Sequence, residues 1–222
     1  MTKLNVLYED NHVIVVEKPV NIPVQADVSG DSDLQTIIKN YIADKYSKPG
    51  NVFLGIVHRL DRPVGGIMVF ARTSKAASRL SETIRNRELG KMYHVVVMGV
   101  PPDNGTLIHW LLKDSSTNMV KSFDKEVKDS KKAVLHFKKE ATVNGLSLLQ
   151  IELVTGRAHQ IRVQCQAMGH PIWGDQRYNK LAVPGQQIAL FASSLSFSHP
   201  TTKEHLSFSL PLPGREPWRQ LL

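Results

Sequence analysis

The sequence predicts an α+β fold, a mixed and mainly antiparallel sheet with peripheral helices, and three observations lead there. Short strand-like runs outnumber helical stretches along the whole chain. Helices between strands are too few for parallel β-α-β winding. Finally, 222 residues with 41% hydrophobic and 22% charged content suffice for one sizeable core. No internal repeat, Gly/Ser linker or low-complexity tract divides the chain, so residues 1–222 are expected to form a single catalytic domain.

The elements follow in order. Leu4–Tyr8 and His12–Val16 read as strands joined by a turn at Glu9-Asp10-Asn11. Lys18-Pro19 ends the second strand, because proline removes a ladder donor. A loop rich in Asp, Asn, Pro and Gly leads to Ser32, which forms a capping-box pattern with Gln35. Leu34, Ile37, Ile38, Tyr41 and Ile42 then recur at helical spacing, and Pro49-Gly50 ends that helix. Gly66–Ala71 is an apolar run, as a strand buried on both faces would be. Ser74 is expected to cap a helix running to about Arg87, with Ala77, Leu80 and Ile84 inward. Met92–Met98 predicts a strand, and 103–150 a run of strands whose charged stretch Lys121–Lys132 is expected to be an exposed hairpin or a mobile connection. Leu146–Val154 is a strand and Ala158–Met168 a helix closed by Gly169. Two late strands, about 188–197 and 205–210, precede a Pro-rich tail.

Charge and cysteine content narrow the function classes. Lys and Arg number 28 against 20 Asp and Glu, giving a net charge of +8 that favours a polyanionic partner. The lone Cys165 can make neither an internal disulfide nor a cysteine-rich zinc site, which points to a reducing compartment. The N-terminus lacks a signal-peptide apolar run, and no apolar stretch approaches membrane-spanning length. A cytoplasmic, soluble and monomeric protein is the expectation.

Three polar clusters interrupt the apolar patterning. His58-Arg59-Leu60-Asp61-Arg62 packs four ionisable side chains just before a buried strand. Arginines on both sides favour the anionic form of Asp61 as a nucleophile or base, although the same residues also suit a structural ion-pair cluster. In the second, strand alternation puts Lys91 and Tyr93 on one face; the ring can stack on a base, or simply fill a sheet edge. The third, Thr155-Gly156-Arg157-Ala158-His159-Gln160-Ile161-Arg162, opens a helix whose free N–H groups and Arg157 form an anion site. His159 and Arg162 share a face of that helix, and a solvated polar face is the plainer alternative. His58, His159, His170, Asp61 and Asp175 match no compact metal motif, so no metal is expected. Phosphate-binding and dinucleotide glycine loops are absent, as is a serine nucleophile elbow.

In order, these segments resemble the RluA family of pseudouridine synthases, from about residue 8 to 210. Lys18-Pro19 with the Pro23 loop resembles its first motif, and His58-Arg59-Leu60-Asp61 through Ala71 its catalytic motif. Lys91-x-Tyr93 with Gly99 matches the next. Thr155–Val163, Gly169-His170-Pro171-Ile172 and Gly174-Asp175-x-x-Tyr178 match the last. The resemblance implies that family's fold, with a central active-site cleft, and isomerisation of uridine in structured RNA (ribosomal or transfer RNA) without any cofactor. It implies that Asp61 is the essential aspartate, that Tyr93 stacks on the uracil, and that Arg162 pairs with Asp61. Arg59 would fill the space of the flipped base, while His58, Lys91, Arg157 and His159 contact the RNA. Val64-Gly65 stands where the family usually has Thr-Ser, Gln164 where a His is common and Ala158 where Thr or Ser is common. A short form lacking the N-terminal RNA-binding domain of many relatives is expected. A catalytically silent RNA-binding protein of the same fold and a metal-dependent phosphoesterase are the rival readings.

Overall fold

The strand runs and helical spacings of the sequence become eleven strands and three α-helices in a computed structural model, which describes residues 4–47 and 50–222. Pro49, expected to help end the first helix, lies outside the described residues, as do the first three residues of the N-terminus. The chain divides into two compact units, Met1–Gly90 with Ala192–Leu210 and Lys91–Phe191 with Pro211–Leu222.

In the first unit, β1 (Asn5–Glu9) lies antiparallel to β2 (Val13–Lys18), and β2 antiparallel to β4 (Gly65–Ala71). All seven residues of β4 are buried, as its unbroken apolar run requires. A two-residue strand β3 (Gly55–Ile56) pairs with the end of β4, and β10 (Leu190–Ser198) forms a hairpin with β11 (His205–Ser209). Helix α1 (Leu34–Tyr46) is capped by Asp33, whose carboxylate accepts from Thr36 N at 3.0 Å, and not by Ser32. Helix α2 (Ser74–Arg85) is capped one residue earlier than expected, by Thr73. Both shifts leave the apolar spacing unchanged, because an oxygen-bearing side chain occupies each of the adjacent positions. Val13, Val15, Ile67, Val69, Leu80, Leu195 and Phe197 form the core of this unit.

The second unit is an antiparallel run in the order β5 (Gly90–Met98), β9 (Leu146–Leu153), β8 (Lys131–Val143), β6 (Asn104–Asp114), β7 (Met119–Phe123). Part of the charged stretch 121–132 is therefore strand, split between β7 and β8. Helix α3 (Gln160–Ala167) is shorter than the predicted 158–168. It packs Val163 on Leu111, Val120 and Ala133. The tail is not a loose end, since Trp218, in a 3-10 turn over Trp218–Gln220, is 1% exposed. Among the described residues, no helix is long and apolar enough to cross a membrane.

Candidate active site

Asp61 ends a non-regular segment, half-buried, four residues before β4 begins. The turn after it is held by backbone: Val64 N donates to the Asp61 carbonyl at 2.9 Å. The side chain that fixes this turn comes from β2. Lys18 Nζ donates to the carbonyls of Pro19 (2.9 Å), Arg62 (2.9 Å) and Val64 (2.8 Å). Three N–H groups meet three acceptors, which satisfies a fully buried ammonium. Burial pushes Lys18 down to about 7, with the Asp61 carboxylate opposing the shift and Arg62 adding to it. Val64-Gly65 in place of Thr-Ser costs this turn nothing visible, because both bonds at Val64 use its main chain.

The expectation that Arg62 flanks the Asp61 carboxylate is corrected. Its guanidinium turns to the 21–31 loop, donating to Asn21 O (3.1 Å), Ser29 Oγ (3.0 Å) and the Asp31 carboxylate. Arg59 is exposed. His58 accepts from Val69 N on β4 through Nε2 at 3.1 Å, so that nitrogen holds the strand.

In the second unit, Tyr93 is 7% exposed on β5. Lys91 shares its strand face, as alternation predicted, and burial lowers its pKa. Arg162 on α3 is 4% exposed and is gripped by the fully buried Asp175: Nε to Oδ2 at 2.9 Å and Nη2 to Oδ1 at 2.7 Å. This fork-to-fork pair fixes the plane of the guanidinium, which also lies 5.2 Å from the Tyr178 ring centre. Asp175 further accepts from the main-chain N–H groups of Arg177 and Tyr178.

His159 has a left-handed backbone (φ 50°) at the start of α3, and its Nδ1 lies 2.8 Å from the Tyr178 hydroxyl. The anion site expected at this helix start is partly filled from within. Gln160 Oε1 accepts from Arg157 N (3.0 Å) and Thr155 Oγ1 (2.8 Å). Arg157 is exposed and donates through Nε to Lys132 O. His170 Nδ1 lies 2.8 Å from Met98 O, and among the described residues no three His, Cys, Asp or Glu gather as a metal site. Lys18, Asp175, Tyr178 and Gln160 are the residues that motif reading undervalued. Their partners lie up to 58 positions away, beyond any local pattern.

Comparison with known proteins gives the class. Residues 12–167 match the family model described as RNA pseudouridylate synthase. The chain is 34% identical over 215 residues to the uncharacterized RNA pseudouridine synthase YjbO of Bacillus subtilis, covering 95% of this chain and 73% of that one. It is 32% identical over 219 residues to ribosomal large subunit pseudouridine synthase C of Buchnera aphidicola, covering 93% and 66%. The chain thus spans about two thirds of the length of such relatives. Human RNA pseudouridylate synthase domain containing 4 shares its fold, with a TM-score of 0.78 at 22% identity over 94% of this chain and 88% of that one. The chain belongs to the RluA family of RNA pseudouridine synthases, enzymes that isomerise uridine within RNA.

Proposed function

We propose that Asp61 is the catalytic aspartate of this synthase, that Tyr93 and Arg162 complete the catalytic set, and that residues 1–222 act as one catalytic domain on a ribosomal or transfer RNA stem-loop. In the reaction the C1′–N1 bond of uridine breaks, the uracil turns, and a C1′–C5 bond forms. The C5 proton then leaves and N1 carries a proton, so atoms balance without cofactor or energy source. Asp61 enables the first cleavage, Tyr93 stacks on the detached ring and assists removal of the C5 proton, and Arg162 orients the carboxylate. Arg59 fills the gap left by the flipped nucleotide, while Lys91, Arg157, His58 and His159 lie along the RNA.

The observation that carries this reading is the Lys18 clamp. A fully buried ammonium spans the carbonyls around the turn that follows Asp61, so the carboxylate is presented from fixed backbone. Such rigidity suits an acid that must meet one carbon of one nucleotide. The test is Asp61→Asn assayed on RNA from cells lacking the gene. Turnover should fall at least about a thousandfold, equivalent to about 4 kcal/mol of transition-state stabilisation, with RNA binding retained. Near-normal pseudouridine formation by this variant sinks the assignment.

A further inference from the structure

The β7-β6-β8 part of the second unit has two unlike faces. On β8, Ala133, Leu135 and Phe137 are buried while Lys132, His136 and Lys138 between them are exposed. The buried face is the one α3 packs on, through Val163 against Leu111 and Ala133. Register puts Tyr93 on that same face, opposite Ile151, which in turn faces Phe137.

The other face carries a different pattern. Phe123, Trp110 and Lys132 stand in one cross-strand row, and the Lys132 ammonium lies 5.9 Å from the Trp110 ring centre. The next row holds Ile108, 48% exposed, against Val134; beyond it come His136 and then Lys138. Lys121 stands on the same side of β7, across from Leu112. Three acidic side chains flank this patch: Glu152 opposite His136, Asp114 two residues beyond Leu112 on β6, and Glu140, which is paired with His94 at 3.2 Å. A sheet face with rings and basic side chains interleaved along its middle, and its acids at the edges, is what stacking bases and tracking phosphates require.

We infer that this outer face is a second RNA-contact surface, separate from the face bearing Tyr93, and that it binds a single-stranded segment next to the modified stem-loop. Bases stack on Trp110 and Phe123, and phosphates lie along Lys121, Lys132 and Lys138. From Lys132 to Lys138 the strand advances about 20 Å, the reach of a short single-stranded run. The inference rests on the chain's substrate being RNA and is independent of which residue is the catalytic acid.

The test uses the full chain and a fluorescein-labelled oligouridylate of about 12 nucleotides. Trp110→Ala should weaken binding about tenfold or more, and Trp110→Phe, which keeps a stacking ring, should restore most of it. Replacing Lys121, Lys132 and Lys138 together by Gln should lower the slope of log affinity against log salt by about 2. Asp61→Asn should bind like the unmodified chain. That outcome separates this surface from the catalytic assignment, which is read by pseudouridine formation alone. Unchanged binding in both the Trp110→Ala and triple-Gln proteins overturns the inference, whatever their catalysis. So does sedimentation showing that these substitutions split a dimer, since the face is then a contact between copies.

Discussion

Buried charge decides most at the scale of single residues. Asp175 and Arg162 hold each other at 2.7 and 2.9 Å with almost no exposure, so removing the carboxylate takes both of these bonds from a buried guanidinium. Asp175→Asn is expected to cost about 3 kcal/mol of stability, and to lower kcat more than it raises KM, because the guanidinium loses its fixed plane. Urea unfolding and single-turnover kinetics read the two effects separately. Lys18 gives a pH signature. Its folded pKa of about 7 lies below the ordinary 10.5, so between those values the unfolded chain binds the extra proton. Stability contributed by this site therefore rises with pH across that window and is lost as pH falls from about 10.5 towards about 7. The difference in urea midpoint between the native chain and Lys18→Met should follow that curve, and a flat difference would sink it. Cys165, buried and pushed up to about 12, has no part in such behaviour.

At the scale of elements, legibility tracked length and periodicity. The unbroken apolar run of β4 and the spacing in α1 named both elements, since burial on two faces and on one stripe write themselves into residue order. Strand β3 escaped because two residues carry no alternation. Helix α3 starts later than expected because His159 takes a left-handed conformation, so regular helix geometry begins only at Gln160. Asp61, Tyr93 and Arg162 were legible as motif residues, but the Lys18 clamp and the Asp175 grip were not, being contacts between distant segments. One glycine at the head of β4 has a structural duty that no apolar pattern reveals. Gly66 has a φ of 123°, and a Cβ there would collide with the backbone of Ala192. Gly66→Ala should destabilise the protein by at least about 3 kcal/mol through strain plus displacement of β10. A thermal melt within error of the parent would refute this.

The whole molecule is built from two units, and neither is one continuous stretch of chain. Leu195 and Phe197 pack with Val13, Val15, Ile67 and Val69, so the first unit lacks part of its core until the β10–β11 hairpin joins it. A fragment covering residues 1–90 should consequently show no cooperative unfolding, whereas adding the 192–210 segment in trans should restore protection of β4 amides in hydrogen exchange. That interleaving orders events during synthesis. Residues 91–191 emerge from the ribosome over about 5–20 s at ordinary elongation rates, and throughout that interval β4 lacks β10, its neighbour on one side. The bonds of the Lys18 clamp all lie within residues 18–64, but the strand they adjoin keeps one edge open until β10 is made, so a nascent chain presents apolar strands to chaperones before its first unit is complete.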